Sequence, residues 1–157
     1  MQRFIGRTPL VGALVFILAG CGGDGGGTGP ASIVGSYQLV SVDGVPVPMT
    51  LAPGIVTGAD RSEVYFGALV LGADGTARMS VCTRHTKEPT VWVTYSDQQA
   101  TYTLRADALD VAWVGGGTTQ ARRESDAIAV PYGYNTVTLP LRFERRAARA
   151  PDAEPCL

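Results

Sequence analysis

From Ile33 onward, hydrophobic and polar residues alternate in short runs that are separated by turn residues. In the clearest run, Val137, Leu139, Leu141 and Phe143 share one face, and polar residues or proline occupy the other. Because successive side chains of a strand point to opposite faces, a period of two predicts half-buried β-strands. No long window has the 3.6-residue period of an amphipathic helix, so the domain is predicted to be all-β.

The pattern predicts about eight to ten short antiparallel strands. They are Gly35–Val42, Val64–Leu71, Thr76–Arg84, Thr90–Tyr95, Ala100–Ala106, Leu109–Val114, Thr118–Glu124, Ala127–Val130 and the run from Val137. The dipeptide Asp43-Gly44 predicts a tight hairpin after the first strand. A β-sandwich and a closed barrel both fit this pattern. Closure is favoured because it removes exposed strand edges.

The first twenty residues have the composition of an export signal. Arg3 and Arg7 precede an apolar stretch from Leu10 to Leu18, and a glycine-rich segment follows Cys21. The stretch is shorter than the roughly 20 apolar residues of a spanning helix. The junction Leu-Ala-Gly-Cys that ends at Cys21 resembles the lipobox of bacterial lipoproteins, and an ordinary secretory signal is the alternative.

The lipobox resemblance implies that Cys21 becomes the lipidated first residue of a mature, membrane-anchored protein. We therefore predict a signal peptide over residues 1–20, the lipidated cysteine and a flexible tether over 21–32, a folded domain over 33–146 and a tail over 147–157. The implied location is the cell envelope. Gly22 in place of an aspartate favours the periplasmic face of the outer membrane over the inner membrane.

The charge balance restricts the class of partner. Thirteen Lys and Arg residues face fourteen Asp and Glu residues, giving a formal net charge of −1. There is no basic run, which argues against nucleic acid as a partner. Without its basic leader the domain is mildly acidic, so membrane attachment is expected to depend on the lipid and not on a basic patch.

Two stretches resemble a known family of domains. The segment GSYQLVSVDGVPVP, residues 35–48, resembles the first strand and hairpin of lipocalin-like bacterial lipoprotein domains. Residues 67–76 are similar to their second hairpin. The resemblance covers residues 33–146 and implies a single eight-stranded up-and-down antiparallel β-barrel, with a smaller barrel of the META type as the alternative. It implies no particular activity.

The three cysteines suggest a disulfide. If Cys21 carries lipid, Cys82 and Cys156 remain as a pair in an oxidising compartment. A bridge between them would attach the C-terminal tail to a hairpin strand. The alternative is two free thiols.

Groups for catalysis or metal binding are few. His85 is the sole histidine, and it lies between Arg84 and Lys87 in a segment predicted to be a solvated turn. A Ser-His-Asp triad or a zinc site could therefore use only this imidazole. We predict no catalytic residue, no metal site, no cofactor and no enzymatic activity. The arginines at 122, 123, 142, 145 and 146 fit a solvated strand face or a ring that meets an anionic ligand.

The sequence favours a membrane-anchored binding module. In the first hypothesis the barrel holds a small apolar or amphipathic ligand, with space left by the small residues Gly67, Ala77 and Ala100. The inward residues predicted to line the site are Tyr37, Leu39, Leu69, Leu71, Tyr102, Leu104, Val137, Leu139 and Leu141. In the alternative, a filled barrel is a scaffold whose loops, chiefly Pro46–Asp60 and Tyr132–Asn135, bind an envelope protein or inhibit a hydrolase. A purely structural role in the envelope is the third hypothesis.

Overall fold

The structure is a computed structural model, and it describes residues 32–134 and 137–145. All regular secondary structure in these residues is β, and they contain no helix long and apolar enough to cross a membrane. The predicted signal peptide, the predicted lipidation site Cys21, nearly all of the predicted tether and the tail with Cys156 lie outside the described residues. Predictions for those segments remain predictions.

Ten strands follow one another along the described chain. They are β1 Gly35–Val42, β2 Val45–Pro46, β3 Met49–Thr50, β4 Arg61–Leu71, β5 Thr76–Lys87, β6 Thr90–Arg105, β7 Ala108–Trp113, β8 Thr118–Glu124, β9 Ala127–Tyr134 and β10 Val137–Arg145. Strands β4 to β10 form an antiparallel meander, and β1 pairs with both β4 and β10. Eight strands thus close into an up-and-down barrel, and the short β2 and β3 are additions to it. This confirms the predicted fold class.

Several of the predicted boundaries are wrong, among them the start of β4 and the ends of β5, β6 and β9. The segments Thr90–Tyr95 and Ala100–Ala106 are parts of one strand, β6, because the polar residues between them lie in an exposed stretch of wall, where Asp97 pairs with Arg78 at 2.6 Å. Strand β9 continues to Tyr134, so most of the predicted loop at Tyr132–Asn135 is strand. The prolines Pro131 and Pro140 are tolerated there because they face each other. Neither has an N–H, so they fit a pair that exchanges no hydrogen bonds.

The predicted hairpin at Asp43-Gly44 is confirmed. Asp43 has a φ of 50° and Gly44 a φ of 76°. Both central residues of this two-residue loop are therefore left-handed, as the tight turn of a twisted hairpin requires. The turn begins the long connection between β1 and β4.

The interior of the barrel is packed around large side chains that are almost completely buried. They are Leu39, Leu71, Met79, Leu109, Ile128, Leu141 and Phe143. At the end where β1 begins, Ile33 belongs to this core. The Tyr37 hydroxyl donates to the Ile33 carbonyl at 2.7 Å, and the Arg145 guanidinium lies 5.6 Å from the Tyr37 ring centroid. The chain therefore enters the fold across a closed, filled end of the barrel.

Gly67 leaves no space inside the barrel, contrary to the prediction. A Cβ atom at this position would lie 3.0 Å from the Leu39 Cβ and 3.0 Å from the Ser80 carbonyl oxygen. Because Gly67 has no side chain, the Leu39 side chain of β1 and the Ser80 backbone of β5 come close to β4. These groups already fill the volume that the glycine appears to leave.

The Gly67→Ala substitution is expected to lower the free energy of unfolding by about 1–3 kcal/mol, the usual cost of overpacking a core. Gly133→Ala is the matched control, since a Cβ there meets nothing within 4 Å, and its effect is expected to stay within about 1 kcal/mol. Urea unfolding of both variants measures the difference. Equal stability of the two variants would contradict the close packing described above.

Candidate functional site

The barrel wall is incomplete along one side. Strand β6 pairs with β5 from Thr90 to Thr101, but with β7 only over Ala100–Arg105. Strand β8 pairs with β9 only at Ala127–Ala129. Among the described residues, the first half of β6 and the second half of β9 therefore lack a strand on their facing edges. A hydrogen bond of 3.0 Å from the Tyr132 hydroxyl to the Ser96 hydroxyl spans the opening.

An open cavity of about 230 Å³ lies beside this opening. Its lining residues come from β5, β6, β9 and the loop before β4, and they are Ile55, Val56, Val81, Thr83, His85, Thr94, Ser96, Tyr132, Gly133 and Tyr134. Gly35 pairs with Leu71 at the closed end of the barrel, whereas Ser62 pairs with His85 at the other end of β4. The cavity is therefore at the end of the barrel opposite to the one where the chain enters.

The loop between β3 and β4 forms one wall of the cavity. Both ends of the loop are fixed by backbone hydrogen bonds of 2.8 Å, from the Leu51 N–H to the Ser62 carbonyl and from the Asp60 N–H to the Thr86 carbonyl. Leu51 is buried in the core. Ile55 and Val56, midway along the loop, present half-buried apolar side chains to the cavity.

His85 is a buried residue of the cavity and not the solvated turn residue that the sequence predicted. Its side chain is only 4% exposed. The Nδ1 atom lies 2.9 Å from the Ser62 hydroxyl oxygen, and the ring is stacked on Trp92 with centroids 5.1 Å apart. The prediction failed because β5 extends to Lys87. Val81 and Thr83 point inward, and continuing this alternation by two residues places His85 on the inner face as well. The alternation could therefore have identified His85 as an inward residue.

The Ser62–His85 pair differs from a hydrolase triad. Neither residue bonds to a carboxylate among the described residues. Ser62, at 5% exposed, is as buried as its partner. A nucleophile must reach its substrate, and its base needs a third group to orient it. The geometry is instead that of a hydroxyl that holds an imidazole in place.

The cavity is electrically neutral. No lining residue is Asp, Glu, Lys or Arg, and burial lowers the pKa of His85, which keeps the imidazole uncharged at neutral pH. Burial also raises the pKa of Tyr134, against a smaller opposing effect of Thr83. The Tyr134 hydroxyl oxygen is buried and makes no hydrogen bond of normal geometry in the described structure. Such a lining suits an uncharged molecule.

None of the nine residues predicted to bind a ligand lines this cavity. Five of them are fully packed in the core: Tyr37, Leu39, Leu69, Leu71 and Leu141. Tyr102, Leu139 and Val137 are half-buried, and Leu104 is 42% exposed at the end of β6. Their ligand role stays a prediction. Val137 and Leu139 lie opposite the lining residues Tyr134 and Tyr132 on the next strand, but they do not line the cavity themselves.

The cysteine and arginine predictions have different outcomes. Cys82 is fully buried and is not free, but Cys156 lies outside the described residues, so their pairing stays a prediction. Arg142 forms ion pairs with Glu124 and Glu144 on the barrel wall. Arg145 donates to the Val34 carbonyl at 2.7 Å. These two arginines are structural and do not line the cavity.

Comparisons with known proteins found no relative of this chain. No family model, no curated protein and no solved structure matches it. Within residues 32–134 and 137–145, no group of three or more His, Cys, Asp or Glu side chains is placed to hold a metal ion. The function is therefore inferred from the cavity itself.

Stability is expected to fall as the pH drops below about 6.5, the ordinary pKa of histidine. Because the folded-state pKa of His85 is lowered, the unfolded chain takes up the proton first, and acid favours unfolding until the pH passes below the folded-state value. Urea midpoints between pH 7.5 and 5 should decline in the natural protein. They should decline less in His85→Gln, which cannot titrate. Parallel declines in both proteins would contradict a buried neutral imidazole.

Proposed function

We propose that this protein is a lipid-anchored lipoprotein of the cell envelope whose lipocalin-like barrel binds a small apolar or amphipathic ligand in the cavity beside His85. The uncharged cavity of about 230 Å³ carries this proposal. The proposed role is binding, with no catalytic step. Because the cell envelope is an oxidising compartment, Cys82 and Cys156 would form the disulfide predicted from the sequence.

The composition of the cavity supports ligand binding. Small-molecule sites are concave and largely apolar, with a few polar groups that orient the ligand. Here Ile55, Val56 and Val81 supply apolar surface, and hydroxyl groups and one imidazole supply the polar atoms. An eight-stranded barrel is either filled by side chains or holds one small ligand. This barrel is filled at one end and open at the other, which favours the ligand hypothesis over a completely filled scaffold.

The position of the cavity is compatible with a membrane anchor. Ser32 and Val34 are held at the closed end by Arg145, and the cavity opens at the opposite end. A glycine-rich tether of residues 21–32 could extend up to about 40 Å. The tether would therefore join the barrel at the end away from the cavity.

The substitution Thr94→Trp is expected to weaken ligand binding strongly, because the larger side chain occupies part of the cavity. Thr94 is an exposed residue of the lining, so the larger ring has little effect on the core. Equilibrium dialysis with 2-naphthol, a small neutral amphipathic compound, should show binding to the natural protein that weakens at least about tenfold in this variant, a loss of roughly 1.4 kcal/mol. Thr103→Trp, on the outer face of the same strand, is the matched control and should bind normally. Equal binding by the two variants, or none by the natural protein, would contradict the proposal.

The anchor is tested separately by the substitution Cys21→Ser. Expressed in a Gram-negative bacterium, the natural protein should be found in the membrane fraction, because acyl chains hold it there. The variant, which has no thiol to accept the lipid, should be released into the soluble periplasmic fraction. Gly25→Ser, in the glycine-rich segment that follows Cys21, controls for a general effect of placing a serine there and should stay with the membrane. A Cys21→Ser protein that remains in the membrane fraction would contradict lipid anchoring at this residue.

A further inference from the structure

We propose that the Nε2 atom of His85 is the polar anchor of the cavity, and that the ligand is a small uncharged molecule carrying one hydroxyl group on an apolar body, an alcohol or a phenol. This inference rests on the proposed function, since it names the chemistry of the same site. It is carried by one juxtaposition: a buried imidazole, held by Ser62 and Trp92, in the wall of an uncharged cavity.

The His85 ring is held rigidly before any ligand arrives. The hydroxyl of Ser62 lies 2.9 Å from Nδ1, and Trp92 stacks on the ring at an interplanar angle of 27°. These two contacts fix both the position of the ring and its rotation. A ligand that meets a fixed group does not have to pay the entropy of ordering it, which favours binding.

The Nε2 atom is the part of this ring that has no partner. Within the described residues, His85 makes one hydrogen bond, and that bond uses Nδ1. Nε2 is not among the polar atoms that are buried without a partner, so it keeps accessible surface, and His85 is one of the lining residues of the cavity. Since buried side chains normally satisfy their polar atoms, we infer that this unpartnered, accessible nitrogen of a cavity residue is the position for a ligand atom.

The surroundings of His85 argue against an ionic ligand. The charged residues beside the Ser62–His85 pair are Arg84 on β5 and Arg61 and Glu63 on β4. Lys87, at the end of β5, is exposed and does not line the cavity. Glu63 is already neutralised. Its carboxylate is bonded to Arg61 and Arg84, at 2.6 Å each, on the outer side of the wall. Bringing an ion into a neutral cavity costs several kcal/mol unless a counter-charge meets it. The lining supplies none, so a carboxylate or an amine is disfavoured.

A hydroxyl group fits Nε2 in either tautomer of the ring. If the Ser62 hydroxyl donates to Nδ1, the proton is on Nε2, and the ligand hydroxyl accepts from it. If Nδ1 carries the proton and donates to Ser62, Nε2 has a free lone pair, and the ligand hydroxyl donates to it. The apolar body would then lie against Ile55, Val56 and the paired rings of Tyr132 and Tyr134, whose centroids are 4.8 Å apart.

The test compares three ligands that share one apolar body: 4-propylphenol, propylbenzene and 4-propylbenzoate. In isothermal titration calorimetry with the mature chain, the binding affinity should be highest for 4-propylphenol, lower for propylbenzene and lowest for 4-propylbenzoate. The phenol should be favoured over the hydrocarbon by roughly threefold to tenfold, the net effect of one hydrogen bond. In the double variant Ser62→Ala/His85→Phe, which keeps a ring against Trp92 and leaves no orphaned hydroxyl, the phenol and the hydrocarbon should bind equally.

A second measurement needs no variant. His85 is the only histidine in the chain, so an ¹⁵N-labelled imidazole gives an unambiguous NMR signal. The Nε2 resonance should shift when 4-propylphenol saturates the site and should stay nearly unchanged with propylbenzene.

Each result of these measurements decides a stated point. If propylbenzene binds as tightly as the phenol and Nε2 does not shift, the anchor is wrong, while ligand binding by the cavity stands. If the benzoate binds most tightly, the inference of an uncharged ligand is overturned. If none of the three compounds binds, both the anchor and the proposed function fail.

Discussion

The pairing of β1 with two strands at once is the constraint on which the rest of the structure depends. Tyr37 lies opposite Arg145 of β10 on one side and opposite Leu69 of β4 on the other. This double ladder joins the first and last strands of the meander, so the sheet becomes a barrel and its inward side chains share one core. Without it, two long edges would be exposed and the interior would be open to water.

Strand length then determines where the barrel is filled and where it is open. Strand β6 has 16 residues, whereas β7 and β8, the two strands that follow it, have 6 and 7 residues. The short hairpin formed by β7 and β8 completes the wall at the end of the barrel with the packed core. It stops before it reaches the end with the cavity. Pro131, with no N–H, lies just past the last β8 contact on β9, which prevents a regular ladder there. The cavity is thus a consequence of mismatched strands and not of small residues inside the barrel.

Much of the fold could be predicted from the sequence, and little of the site. The alternation in β1, β5 and β10 and the Asp43-Gly44 turn carry local information, so strands and barrel follow from them. The space at Gly67 and the partners of His85 show why the rest could not be predicted. The space at Gly67 is taken by Leu39, a residue of another strand. The environment of His85 comes from Ser62 and Trp92 on both flanking strands. Such contacts depend on register between distant segments, which no local pattern contains.

The central claim is that a closed barrel presents an uncharged cavity with His85 at its wall. A crystal structure of the chain from Cys21 onward, grown with 4-bromophenol, tests this most directly, because the anomalous signal of bromine locates the ligand without interpretation. The account predicts one strong peak among Val81, Thr94 and Tyr132, with the phenol oxygen within hydrogen-bonding distance of His85 Nε2. A cavity closed by side chains, with bromine only on the outer surface, would contradict it.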